Sequence, residues 1–267
     1  MNLVKAQAYG NDFLLVEERQ LTGRNQPALA RAVCDRHRGL GADGLLVFTS
    51  DSAGARRASM RLFNADGSRS EISGNGLRCL AAWLVYTGGG AHLVIDTDAG
   101  PKELDLLDRE ESRFRFRAGM GHPSEISLEQ IPVGGSLIEA VTLRVGNPQC
   151  VVLGEVTQAR LHALASALAV HPRFPAGTNV ELAAVERPDH VRVLIWERGV
   201  GPTEASGTGA CAAAVAAMTF GGALRDVQIE SPGGTQRVEW TDAGLFLTGW
   251  AEVVASAHWM KGEGTTS

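Results

Sequence analysis

The sequence predicts an α+β protein made of two structurally equivalent halves. Three observations predict it. First, Ser73-Gly74-Asn75-Gly76 heads the apolar run Leu77 to Leu84, and Ser206-Gly207-Thr208-Gly209 heads a second, Ala210 to Met218, 133 positions further on. Second, the upstream segments repeat. Met60-Arg61-Leu62-Phe63-Asn64 and Val193-Leu194-Ile195-Trp196-Glu197 each end nine residues before their serine, and Gly10-Asn11 to Val16 echoes Gly146-Asn147 to Val152 at a spacing of 136. Third, short β-rich runs separated by turn formers recur through both halves. One Ser-Gly-x-Gly is common. Three matches in order at a near-constant spacing mark an internal duplication.

Taken in chain order, the expected strands are Leu14 to Val16, Leu45 to Thr49, Ser59 to Phe63, Leu93 to Thr97, Phe114 to Arg117, Val141 to Val145, Val191 to Trp196, Val227 to Glu230 and Gly244 to Thr248. Helices are expected at Pro27 to His37 and Gln158 to Ala169. The two motif helices end at glycines, Gly88 to Gly90 and Gly221-Gly222. Ala210 to Met218 is apolar all round, so that helix is expected to be buried and wrapped by sheet. The expected division is 1–117 and 118–252, with a final segment, 253–267, joining the first domain.

Composition narrows the function. Of 267 residues, 44% are hydrophobic and 21% charged, a globular balance that excludes long disorder. The net charge of −5 offers no electrostatic footprint for nucleic acid. No apolar run approaches the ~20 residues of a membrane span, and Met1-Asn2-Leu3-Val4-Lys5 lacks a signal-peptide core. Cys34, Cys79, Cys150 and Cys211 are widely spaced, without zinc-type spacing or a disulfide pattern. A reduced cytoplasmic protein with no metal is the expectation. Glycine, at 32 residues, is about one in eight against a usual ~7%, which implies many turns or close backbone approaches.

Serine before Gly-x-Gly at a helix start has two uses. It is a good N-cap, and the glycines let a ligand approach free amides that attract an anion such as a carboxylate. Two such motifs, each with a polar residue nine positions upstream, suggest one site at the pseudo-twofold interface. Opposed proton carriers are what inversion at carbon requires: one group removes a proton and the other returns one to the opposite face. The helix N-termini would stabilise the carbanion-like transition state.

The segments Tyr9-Gly10-Asn11-Asp12-Phe13, Gly39-Leu40-Gly41-Ala42-Asp43-Gly44, Phe63-Asn64-Ala65-Asp66-Gly67-Ser68, Ser73 to Cys79, Gly146-Asn147-Pro148, Glu197-Arg198-Gly199-Val200-Gly201 and Gly207 to Cys211 resemble the diaminopimelate epimerase family along nearly the whole chain. The resemblance implies two pseudo-symmetric domains, each a β-roll or barrel around a central helix, with the substrate between them. It implies a cofactor-independent isomerase of LL- and meso-diaminopimelate, serving lysine and peptidoglycan-precursor synthesis, commonly as a homodimer. The implied substrate contacts are Asn11, Asn64, Asn147, Asn179, Glu197 and Arg198. The amides of Gly74-Asn75 and Gly207-Thr208 would hold the α-carboxylate. Taken singly, the asparagines beside glycine or Asp-Gly fit turns, and Arg198 fits a solvated strand end. The family pattern favours ligand contacts.

The pattern breaks where it matters most. The two proton carriers are cysteines in the family, and here they are Ser73 and Ser206. A thiol has a reference pKa of about 8.5, whereas a serine hydroxyl needs an adjacent base. Gln149 stands where the family usually has histidine after Asn-Pro, and Gly44 where some members carry a ligand-contacting glutamine. Glu71 and Glu204 each lie two residues before a serine, so an extended segment would point each toward it, or leave it a solvated loop charge. Glu197 is the better base. The histidines, His37, His92, His122, His162, His171, His190 and His258, show no paired ligand spacing. Cys79 and Cys211 suit small buried positions. Ser73, Ser206 and Glu197 are therefore the expected catalytic set of an amino-acid epimerase acting on a small-molecule amino acid. The alternatives are a one-base isomerase or dehydratase on the same scaffold, and a carboxylate-binding paralogue with impaired catalysis.

Overall fold

The computed structural model describes residues 1–50 and 56–260. Of the expected closing segment 253–267, residues 261–267 lie outside the described residues. The first half runs β1 (Asn2–Ala8), β2 (Asn11–Glu17), α1 (Gln26–Cys34), β3 (Gly44–Ser50), β4 (Arg57–Asn64) and β5 (Arg69–Ser70). It continues through α2 (Gly74–Tyr86), β6 (His92–Thr97), β7 (Gly100–Glu110) and β8 (Arg113–Gly121). After β9 (Ser124–Val133) the order repeats as β10 (Ser136–Val145), β11 (Asn147–Leu153), α3 (Gln158–Ala169), β12 (Asn179–Arg187), β13 (His190–Glu197) and β14 (Gly201–Thr203). The last elements are α4 (Gly207–Phe220), β15 (Asp226–Ser231), β16 (Gly234–Thr241) and β17 (Gly244–His258).

Pairing repeats with the elements. In the first half β2 and β3 run parallel, β3 and β4 antiparallel, β4 and β6 parallel, β6 and β7 antiparallel. In the second, β11–β12, β12–β13, β13–β15 and β15–β16 follow the same sequence of senses. The parallel steps are crossovers through α1 to α4, as parallel pairing demands. β8 and β17 join the halves as an antiparallel pair, Leu245 to Gly121 through Glu252 to Arg113. Beyond that pair β17 continues onto β1, from Gln7 opposite Glu252 to Asn2 opposite His258. A ring of eight strands therefore closes: β1, β2, β3, β4, β6, β7, β8 and β17. Closure removes the unpaired edges an open sheet would expose. β8 runs into β9, which pairs with β10 and does for the second half what the end of β17 does for the first.

Each barrel is filled by its motif helix. On α2, Leu77, Leu80, Ala81 and Leu84 are buried against β1, β2, β8 and β17. α4 is buried from Gly207 to Ala217, as its uniformly apolar sequence predicts, and packs on β10 to β13, β15 and β16. Its alanines let the surrounding strands approach closely, so the interior is filled by backbone and methyl groups.

Two expectations need correction. The helix expected to reach His37 stops at Cys34, because Asp35 Oδ1 accepts from the amides of His37 (2.8 Å) and Arg38 (2.7 Å). That local turn outcompetes further helical bonding. The nine expected strands also omit β1, β5, β7, β9, β11, β12, β14 and β16. β9 is mostly exposed along its length, so it lacks the apolar alternation that betrays a half-buried strand.

Candidate active site

The helices α2 and α4 start face to face. A Cβ on Gly74 would lie 2.9 Å from Gly207 Cα, and one on Gly207 would lie 2.7 Å from Gly74 Cα. Only glycine permits this approach. Ser73 caps α2, its Oγ accepting from Gly76 N at 3.1 Å, and Ser206 caps α4, accepting from Gly209 N at 3.3 Å. Both serines therefore serve as N-caps. The amides of the first two residues of each helix, Gly74-Asn75 and Gly207-Thr208, have no acceptor within their own helix.

Above these helix starts a cleft opens between the halves. Ser73, Ser206, Glu197, Asn11, Asn64, Asn147, Asn179, Arg198 and Thr208 all line it. Gly74, Asn75 and Gly207 do not. They form the floor beneath it, and what they offer a ligand is main chain. Asn75 is fully buried, and its Nδ2 donates to Asn11 Oδ1 and to Ala205 O, both at 3.1 Å.

The two walls differ in charge. Glu197, at the end of β13, hydrogen-bonds the Ser206 hydroxyl. Burial pushes its carboxyl up to about 7; the Ser206 hydrogen bond opposes this, and the charge of Asp43 reinforces it. The residue keeps some access to solvent through the cleft, while protein encloses it on its other sides. A carboxylate with that proton affinity, bonded to a hydroxyl, is a usable general base near neutral pH. At the corresponding place in the first half stands Asn64, whose Nδ2 donates to Ser68 Oγ at 2.9 Å.

The glutamates beside the serines take other partners. Glu71 pairs across the cleft rim with Arg198 Nη2 at 3.2 Å, and the exposed Glu204 lays its carboxyl against Gly10. Arg198 is fixed further by its amide on Asn179 Oδ1 (2.9 Å) and by Nη1 on Ala176 O (2.8 Å). It is a held cation rather than a solvated strand end. The four cysteines are buried and unpaired, and burial pushes the thiols of Cys34, Cys150 and Cys211 up to about 12. His190, which shows no paired ligand spacing in the sequence, meets Glu230 at 2.8 Å and Glu186 at 3.9 Å, at the end of β13 away from Glu197.

Three polar residues were missed as site residues. Asp43 lines the cleft, accepts from Asn11 Nδ2 at 2.7 Å and is held by Arg36 at 2.9 Å, which fixes the Asn11 amide. Its only sequence signal was membership of the matched segment Gly39 to Gly44. Glu181 is fully buried, and neither carboxyl oxygen has a hydrogen-bond partner among the described residues. Burial, with the charge of Glu197, raises its pKa well above the usual carboxyl range. One of its oxygens would lie 2.9 Å from a Cβ on Gly209, so the last glycine of Ser-Gly-Thr-Gly makes room for this acid. Arg78 is the third, buried in α2 behind Asn75. Gln149 is buried beneath the site and donates to Asn147 Oδ1 at 2.6 Å.

Two like barrels facing one polar cleft define a class of two-domain proteins that includes epimerases. A predicted epimerase of Pseudomonas aeruginosa shares the fold at a TM-score of 0.76 and 15% identity, over 98% of this chain and 99% of that one. A hydroxyproline epimerase of Agrobacterium vitis shares it at 0.69 and 15%, over 96% and 90%. Sequence narrows the class. The family model described as diaminopimelate epimerase matches residues 3–126 and 141–254, and a diaminopimelate epimerase of Desulforudis audaxviator is 40% identical over 98% of this chain and all of its own length. The chain belongs to the diaminopimelate epimerase family.

Proposed function

We propose that the protein moves a proton at Cα of diaminopimelate, interconverting the LL and meso forms without a cofactor. The observation that carries this is Glu197, a carboxyl of raised proton affinity bonded to Ser206 at the head of two facing helix starts. The α-carboxylate sits on the amides of Gly74-Asn75 and Gly207-Thr208. Asn11, Asn64, Asn147, Asn179 and Arg198 hold the remaining polar groups of the substrate. Ser206 Oγ takes the Cα proton while its own proton passes to Glu197. The carbon–hydrogen electron pair stays on the substrate and spreads into the carboxylate, where the helix starts stabilise it. Ser73 gives its hydroxyl proton to the opposite face and takes one back from solvent in the cleft, while Glu197 releases the proton it accepted.

The family pattern supports placing the enzyme in the cytoplasm as a homodimer, which light scattering checks for assembly. No helix among the described residues is long and apolar enough to cross a membrane.

The test is Cα exchange of diaminopimelate in deuterium oxide. Exchange with inversion is the expected result. A second reading has a specific motive: Ser73 lacks the carboxylate that Ser206 has, which suits one-base chemistry. Exchange without inversion supports that enzyme. A bound diastereomer showing no exchange leaves a carboxylate-binding paralogue.

A further inference from the structure

Arg78 is fully buried and its guanidinium lies among neutral groups. Nη2 donates to Asn75 Oδ1 at 2.5 Å and to Gln236 Oε1 at 2.7 Å, while Nε and Nη1 have no acceptor among the described residues. Its titratable neighbours are Tyr9, whose ring centroid is 5.7 Å away, Cys79 and Cys211. Burial raises the proton affinity of all three, so they stay neutral. The acids of the cleft are engaged elsewhere, Asp43 with Arg36 and Glu197 with Ser206. A guanidinium stays charged even when buried, so the fold carries a desolvated cation with no carboxylate against it.

Its place suggests what balances it. Side chains on a helix lean toward the N-terminus, and Arg78 reaches back to Asn75, where the helix dipole is already positive. Asn75 in turn touches Asn11, which lines the cleft, and Ala205, the residue before Ser206. One cation thus stands behind a hub that joins both halves at the cleft floor. Two amide oxygens and the Tyr9 ring face the cation, but no full negative charge stands against it. A bound carboxylate reverses this.

We propose that Arg78 is a positioning residue for the carboxylate of the bound amino acid, a buried cation whose counter-ion is the ligand and which acts through Asn75. This rests on the reading that the helix starts hold a carboxylate. The experiment titrates wild type, Arg78→Lys and Arg78→Gln with meso-diaminopimelate by calorimetry, alongside the ligand-free Tm of each. Lysine keeps the charge and glutamine keeps a hydrogen bond to Asn75 without it. The expected result is binding by Arg78→Lys within about threefold of wild type, and binding by Arg78→Gln weakened about tenfold or more. The ligand-free Tm of Arg78→Gln stays level or rises. Glutamine binding as wild type overturns the proposal. So does equal weakening in both variants with a matching fall in ligand-free Tm, which marks a packing role. Should wild type not bind diaminopimelate, acetate becomes the probe. Stabilisation of wild type and Arg78→Lys but not Arg78→Gln then upholds the counter-ion and overturns the substrate reading, and no difference overturns both.

Discussion

The two halves share one plan of strands and helices, and they differ where the plan meets the cleft. Strand register makes the comparison position by position. Phe13 and Leu15 lie beside Gly44 and Leu46 in the first half, as Gln149 and Val151 lie beside Asn179 and Glu181 in the second. Leu46 faces Leu62, and Glu181 faces Ile195, so Asn64 corresponds to Glu197 two residues on. At these matched positions the first half is apolar but for the amide of Asn64, and the second carries the two carboxyls of Glu181 and Glu197. Behind the helix starts the contrast inverts: Arg78 on α2 corresponds to Cys211 on α4. Duplication supplies a symmetric frame, and asymmetric side chains supply a proton acceptor on one side and a cation on the other.

The sharpest way to break this comparison is to remove the acceptor. Glu197→Gln should cut Cα deuterium exchange by about 10² to 10⁴-fold, the usual worth of a positioned general base. Ser206→Ala should cost more exchange than Ser73→Ala, because only Ser206 is coupled to a carboxyl. Equal losses from the two serines would mean the halves are chemically alike.

Restoring thiols sharpens the contrast from the other side. Ser73→Cys should raise epimerisation more than Ser206→Cys, since no carboxyl among the described residues is bonded to Ser73 and a thiol, with a reference pKa near 8.5, needs none. A gain of about tenfold or more in the double variant is expected, because each pKa unit is worth ~1.4 kcal/mol. No gain, even with Gln149→His added, would sink the shared ancestry of the two carrier positions.

A smaller effect is the pH profile. The base must be ionised, so kcat/KM should rise with pH and level off above about 7, the value to which burial lifts Glu197. A profile flat from pH 5 to 9 would exclude it as the base.

The smallest effect is on stability, through Glu181. Its folded pKa is raised above the unfolded value, so its contribution is full below the unfolded pKa of about 4.3 and is lost as pH rises through the folded one. Glu181→Gln should therefore leave Tm unchanged near pH 4 and raise it by a few degrees near pH 8. A lower Tm at pH 8 would show that the carboxyl has a stabilising partner.

Legibility in the sequence followed distance along the chain. The helix starts were legible because Ser-Gly-x-Gly caps, turns and admits close approach within four residues, and α3 began and ended where expected. The polar residues lining the cleft were legible only as a pattern shared with a family, since an asparagine beside a glycine is equally a turn. Asp43, Glu181 and Arg78 were not recognised as site residues, because their partners lie far away: Arg78 meets Gln236 across 158 positions and Asn11 meets Asp43 across 32.

By itself the sequence determined that the protein is a doubled α+β design with two opposed helix starts and serine where thiols are expected. Those are matters of local propensity and repetition. Only the tertiary structure decided that, among the described residues, one serine has a carboxyl bonded to it and the other has none, and that a buried cation without a carboxylate against it stands behind the cleft. Proton affinity and field depend on burial and on neighbours brought together by folding, and no residue type carries them alone.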